Sequence, residues 1–341
     1  MKNDIVISDD VLKMAKDAEK ELVSIYNKCD DICFSNTRKV LNAFINNNVS
    51  FNDFSGTNGY GYNDVGREKI DSIFSEIFGA EDSLVRSQFV SGTHALTVCL
   101  FAMLRPGDVM LSITGSPYDT LHEVIGIKDN ASSLKSFGVS YEEVALKNGE
   151  FDVLGIKSIL KDKKVKLIEI QRSKGYSNRN SITIPMIRDV IKEIRSVSKD
   201  VIIMVDNCYC EFVEEISPLE VGADLIVGSF IKNLGAGIVP NGGYIAGRKD
   251  LIELAGERLT VPGEGKEVGA TLDMNMKFLQ GIYMAPSVVN ASVKTAIFAS
   301  YMLEKLGFVV DHRYNDSRVF ILDAITFNDP YKLIKYCGGI L

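Results

Sequence analysis

The stretch Val201–Phe212, VIIMVDNCYCEF, sets the fold class. Its first five residues are apolar and do not alternate with polar ones. A half-buried strand would alternate, so this run reads as a strand covered on both faces, as in a parallel sheet packed between helices. Asp206 follows at once. An acid there stands at the carboxyl end of the sheet, where open α/β folds place their ligands. Taken alone, the position suits a turn or N-cap aspartate equally well.

On either side the same pattern repeats. Apolar runs occur at Leu84–Val90, Val109–Ile113, Leu167–Gln171, Leu225–Gly228 and Gly243–Ala246. Helix-like stretches separate them, among them His94–Leu104, Pro185–Ser196 and Pro218–Val221. The class is α/β with a largely parallel central sheet. Upstream, Val11, Leu12, Ala15, Ala18, Leu22 and Ile25 recur at helical spacing, and a second helix is expected from Asn36 to Asn46. Residues 48–66 hold Gly56, Gly59, Gly61 and Gly66 without periodicity, a long loop of the kind that tends to carry function. A helix over 67–79 follows. Downstream, 286–306 reads as one helix opened by Pro286, then a strand in SRVFILDAITF and a helix in DPYKLIKYC. Three regions are expected: N-terminal helices and an arm (1–66), a large domain (67–285), and a partial small C-terminal domain (286–341). A strand and helix alone expose a sheet edge and an apolar face, so the last region reads as truncated.

The 341 residues carry a net charge of −7, which gives no electrostatic footprint for nucleic acid or anionic membranes. No apolar run reaches the roughly 18 residues of a transmembrane span. The start, Met1-Lys2-Asn3-Asp4, lacks a signal-peptide core, so a cytoplasmic location is expected. Cys29 and Cys33, like Cys208 and Cys210, lack the CxxC spacing of a zinc site, and no metal is expected.

Four positions carry chemistry. In Leu225–Gly237, LIVGSFIKNLGAG, a strand runs into Ser229 and then Lys232. A partly desolvated lysine has a lowered pKa and a free amine suited to imine chemistry, although a surface lysine after a strand is the simpler reading of that residue alone. Paired with Asp206 it gains weight, since an imine-forming lysine and a carboxylate for a pyridinium nitrogen are the groups pyridoxal phosphate (PLP) most needs. In Phe89–Leu104, a strand ends at Ser91-Gly92-Thr93 and a helix begins, leaving free amides that suit a phosphate or simple capping by Thr93. In Gly115–Leu121, GSPYDTL, Tyr118 stands at the carboxyl edge, placed to stack on a planar ring or to pack in its turn. No GxGxxG or GxxxxGK[ST] follows a strand-like run, which counts against a nucleotide-dependent enzyme.

In this order these elements resemble the fold type I PLP enzymes (aspartate aminotransferase-like), within them the cystathionine lyase and methionine gamma-lyase group. More narrowly they resemble the bacterial aluminium resistance branch of carbon–sulfur lyases. The resemblance rests on GTNGYGYNDVGREKID, QFVSGTHAL, GSPYDTLHEVIG, IQRSKGYSNRNSI, VDNCYCEFVE and GSFIKNLGAGIVPNGGYIAG. It implies a Lys232 aldimine, Asp206 on the pyridine nitrogen and Tyr118 on the ring. Ser91, Gly92, Thr93 and Ser229 would bind the phosphate. Tyr60, Tyr62 and Arg67 match an arm that reaches a neighbouring subunit's phosphate, which implies a homodimer as active unit and a homotetramer overall; a surface loop with scattered tyrosines is the other reading. The implied reaction is β- or γ-elimination from a sulfur-containing amino acid, with Lys232 moving the proton and Tyr118 protonating the leaving thiol.

Two departures bear on activity. Gln171-Arg172-Ser173 stands where the wider group has a Thr-Asn-Pro-like turn, and either Arg172 or Arg179 suits a substrate carboxylate or a solvated surface. The small domain that would supply a carboxylate-binding arginine is incomplete, with Arg318 on its remaining strand. The alternative reading is therefore a PLP-binding or assembly protein without turnover.

Overall fold

The computed structural model describes residues 7–175, 177, 179 and 181–340. Its centre is a seven-stranded sheet of β1 (Asp82–Arg86), β2 (Val109–Ser112), β3 (Ser140–Glu143), β4 (Val165–Gln171), β5 (Ile202–Asp206), β6 (Leu225–Ser229) and β7 (Gly243–Gly247). The spatial order is β1-β7-β6-β5-β4-β2-β3. Strands β3, β2, β4, β5 and β6 pair in parallel, whereas β7 runs antiparallel between β6 and β1.

The unalternating run has the expected cause. Ile203 and Val205 face one apolar cluster, and Ile202 and Met204 face the other, so both faces of β5 are buried. Each such side chain contributes on the order of 2 kcal/mol by leaving water. The helices among the described residues are α1 (Asp9–Glu21), α2 (Val23–Asn46), α3 (Val65–Phe78), α4 (Gly92–Met103), α5 (His122–Ile125), α6 (Val153–Asp162), α7 (Ile184–Arg195), α8 (Lys249–Leu259), α9 (Met274–Lys305) and α10 (Pro330–Ile340). Residues of α3, α7 and α9 join the first cluster, and those of α4 and α8 join the second. None of the helices among the described residues is long and apolar enough to cross a membrane.

Three expectations need correction. Strand β3, SYEE, went unread because it is an edge strand with exposed or half-buried side chains, which gives no apolar run. The helix expected to open at Pro286 begins at Met274, and Pro286 lies buried inside it. The boundary drawn at 285 thus falls within one helix. The strand expected across SRVFILDAITF is confined to β9 (Ala324–Thr326), which pairs antiparallel with β8 (Val309–Asp311). Arg318 therefore lies on no strand.

Candidate active site

Three strands deliver their ends to one place. Gln171 of β4 pairs with Asp206 of β5, and Asp206 with Val227 of β6, so the carboxyl ends finish side by side. The turns that follow form the floor of a cleft of about 590 Å³.

Lys232 enters from the turn after β6. Its ammonium lies 4.1 Å from the centroid of the Tyr209 ring, a cation–π contact. Tyr209 has φ +70° and Phe212 φ +62°, left-handed values that cost bulky residues about 1–3 kcal/mol each. The surroundings hold this turn: the Asn36 side-chain amide donates to the carbonyls of Phe212 (3.1 Å) and Glu214 (3.3 Å). Burial alone would lower the Lys232 pKa, but Cys208, Asp206 and Tyr209 beside it raise it by more, and the net direction is up. Burial pushes the Cys208 thiol well above its ordinary value, so Asp206 is the standing charge beside the lysine. This corrects the expectation of a free amine. Asp206 Oδ1 accepts the Cys208 N–H at 3.0 Å, which fixes the carboxylate at the floor.

The helix α4 supplies the next wall. Ser91 Oγ accepts the His94 N–H at 3.0 Å and caps the helix. The amides of Gly92 and Thr93 have no acceptor within the helix, and the dipole makes this end partly positive. A Cβ at Gly92 would stand 3.1 Å from Ser229 Cβ and 3.5 Å from Cys208 Sγ, so a larger residue would crowd this cradle. Thr93 Oγ1 lies 2.8 Å from Thr120 Oγ1.

Tyr118 forms the opposite wall. Its backbone N–H donates to Gln171 Oε1 at 2.6 Å, and Gln171 Nε2 donates to the Ser173 carbonyl at 2.9 Å. Gly175 comes so close that a Cβ there would lie 3.1 Å from Tyr118 Cδ2. Lys232, Asp206, Tyr118, Ser91, Gly92, Thr93 and Ser229 thus line one space. An amine, a carboxylate, an aromatic face and a helix N-terminus are the groups that a phosphorylated pyridine aldehyde requires.

Other expected residues lie elsewhere. Arg67 is buried, and its guanidinium donates to the carbonyls of Gly61 (2.8 Å), Gly269 (3.0 Å) and Glu267 (3.1 Å). It ties the arm to the 267–269 loop. Tyr60 and Tyr62 are exposed, with ring centroids 5.9 Å apart, and line no part of the cleft. Arg172 is 1% exposed and is not in the cleft. Successive side chains at a strand end point to opposite faces, so Gln171 takes the cleft side. Arg172 goes beneath, to Glu214 and to Asn207 Oδ1 at 2.7 Å. It is not available to a substrate carboxylate. Arg179 donates to the Gln171 and Ser173 carbonyls, both at 2.6 Å. Tyr176, Asn178 and Asn180 of the stretch containing it lie outside the described residues.

Several cleft residues escaped the sequence. Tyr209 stood beside Asp206 in a quoted stretch, where only its left-handed backbone singles it out. Lys174, Phe320, Leu322, Asp323 and Ala324 also line the cleft, the last four from a segment more than 80 residues beyond Lys232. Below the floor, Glu169 and Glu211 are fully buried, and burial pushes both up to about 7. Ser112 Oγ donates to Glu169 Oε2 and the Tyr244 hydroxyl to Glu211 Oε1, both at 2.8 Å.

A family model described as methionine gamma-lyase matches residues 11–341. The chain is 42% identical to YnbB of Bacillus subtilis over 331 residues, which is 96% of this chain and 78% of that protein. A carbon–sulfur lyase involved in aluminium resistance from Clostridium novyi is 44% identical, superposes with a TM-score of 0.95, and covers 98% of this chain with 80% of its own. The architecture extends to the pyridoxal-5'-phosphate dependent protein YhfS of Escherichia coli at 18% identity and a TM-score of 0.63, over 90% of this chain and 78% of that one. The expected fold type I architecture is the one observed.

Proposed function

The chain belongs to the methionine gamma-lyase family, and from that premise we propose that it is a PLP-dependent carbon–sulfur lyase acting on a small sulfur-containing amino acid by β- or γ-elimination. The observation that carries this reading is the single cleft shared by Lys232, Asp206, Tyr118 and the start of α4.

When bound, PLP supplies an electron sink conjugated to the substrate's α-carbon. Lys232 Nζ would be the attachment point, and Asp206 would hold a proton on the ring nitrogen through a charge-assisted hydrogen bond. The Lys232 amine would take the proton from the substrate's α-carbon. Tyr118 would face the ring, and its hydroxyl would protonate the departing sulfur. Ser91, Gly92, Thr93 and Ser229 would hold the phosphate. Phe320 and Leu322, which line the cleft, would limit the access of water. The products are a 2-oxo acid, ammonia and a thiol.

The exposure of Tyr60 and Tyr62 supports a homodimer in which each copy's arm completes its neighbour's phosphate site, with dimers paired into a tetramer. The setting proposed is the cytoplasm.

The test is release of thiol and 2-oxo acid from methionine, homocysteine and cystathionine by the PLP-loaded protein. Lys232→Ala should lower the rate roughly 10³-fold, in line with the loss of a general base. Normal turnover by that variant rules the mechanism out. PLP bound at Lys232 with no product from any sulfur amino acid would leave a cofactor-binding protein without turnover.

A further inference from the structure

Lys232 and Asp206 line one cleft, and their opposite charges draw them together. Among the described residues they nevertheless form no ion pair. The Lys232 ammonium lies instead over the Tyr209 ring, 4.1 Å from its centroid. Tyr209 stands there at a cost. Its φ of +70° is a left-handed value that a bulky residue keeps only where its surroundings impose it. Those surroundings reach it from two directions. The side-chain amide of Asn233, the residue after Lys232, donates to the Glu211 carbonyl at 2.9 Å and so joins the turn of Lys232 to the turn of Tyr209. Tyr209 also packs against the cluster of Cys210, Val319 and Phe320.

We propose that Tyr209 is a positioning residue whose ring seats the Lys232 ammonium and keeps it off Asp206, so that this carboxylate stays open to a protonated pyridine nitrogen. This rests on the lyase reading above. A lysine free to turn would settle on the carboxylate, because a charge-assisted hydrogen bond holds an ammonium more strongly than an aromatic face does. Such a pair would occupy the oxygens that the ring nitrogen needs, and an arriving cofactor would first have to break it. The Tyr209 face is a weaker hold, and the amine leaves it without stranding a charge. Of the other titratable groups around Lys232, burial pushes Cys208 and Glu211 up, which leaves Asp206 as the main rival for the ammonium. The Cys208 N–H, donated to Asp206 Oδ1 at 3.0 Å, holds that carboxylate in place while the ring holds the lysine.

The probe is 4'-deoxypyridoxine 5'-phosphate, which keeps the ring nitrogen and the phosphate but has no aldehyde to react with Lys232. Its affinity is measured by calorimetry on the full chain without cofactor. Tyr209→Leu should weaken binding about tenfold, the worth of one hydrogen bond to a charged group, because Lys232 then pairs with Asp206. Tyr209→Phe keeps the ring face and should bind as the wild type does. Lys232→Met cannot pair with Asp206, so in that background Tyr209→Leu should change nothing. A ring that only packs the turn or touches the ligand would lose affinity in both backgrounds. That result overturns the assignment, as does unchanged affinity in Tyr209→Leu. Tyr209→Gly, which suits the left-handed backbone, carries the same comparison should the leucine variant fail to fold. A second measurement needs no pyridine ligand: trace acetylation of Lys232 by acetic anhydride, read by mass mapping relative to the other lysines. Tyr209→Leu should slow it several-fold, since Asp206 then holds the amine protonated. An equal or faster rate overturns the proposal. Failure of the wild type to bind the probe strikes the cofactor reading, while the acetylation still judges Tyr209.

Discussion

The floor and the rim of the cleft are held together by different physics. The floor is made of strand ends in register, and backbone hydrogen bonds continue the sheet into its turns. The Asn207 N–H donates to the Val227 carbonyl at 2.9 Å, the Phe230 N–H to the Gly242 carbonyl at 3.0 Å, and the Arg172 N–H to the Asp206 carbonyl at 3.2 Å. The rim, residues 309–326, has two strands of three residues each. It is fixed mainly by side chains: Asp311 on Lys174, His312 Nε2 at 2.9 Å from Ser181 Oγ, and Phe320 packed against Tyr209. A floor built this way is rigid before any ligand arrives. A rim held by a half-exposed ion pair is tied less firmly than that floor.

The largest effect should come from cutting the support beneath the floor. Arg172→Ala leaves Glu214 and Asn207 without their partner in a buried setting. The expected cost is about 3 kcal/mol of unfolding free energy, at the lower end for a broken buried pair because Glu214 keeps some exposure. Urea unfolding measures it, and a loss below about 1 kcal/mol, the range of a surface pair, would erase the distinction between floor and rim.

A second test uses the proton held under the floor. Glu169 has its folded pKa raised from 4.5 to about 7 by burial. The folded state therefore binds this proton more tightly than the unfolded state does. Its contribution is fully present below about pH 4.5 and is lost as pH rises through about 7. Glu169→Gln cannot titrate, so the variant should gain on the wild type between about pH 5 and about pH 8. Unfolding midpoints at the two pH values read this, and a constant gap would mean that Glu169 is not a buried neutral acid.

The smallest effect is expected at the rim. Asp311→Asn removes a half-exposed partner and should cost about 1 kcal/mol or less in thermal unfolding. A loss as large as that of Arg172→Ala would make the rim part of the rigid frame.

The same contrast explains what could be read from the sequence. The floor was legible because a strand buried on both faces has no alternation, and because ligand groups fall at the carboxyl ends of such strands. Asp206, Ser229, Lys232 and the start of α4 follow from that rule. Arg172 failed because a one-residue step at a strand end reverses the side chain's direction, and no motif marks which of Gln171 and Arg172 faces the ligand. The hold of Arg67 on backbone carbonyls 200 and 202 residues away in the chain leaves no mark in the sequence. The rim was illegible for a related reason: Lys174 meets Asp311 across 137 residues, and neither the 174 turn nor the 320–324 segment has periodicity of its own. The free amine expected of Lys232 came from weighing its burial without the charge of Asp206 beside it.

The most direct test is borohydride reduction of the protein incubated with PLP, followed by mass mapping of its peptides. The account predicts a single pyridoxyl group fixed on Lys232, with Lys174 unmodified. A label on another lysine, or none at all, would contradict the assignment of the cleft at the ends of β4, β5 and β6.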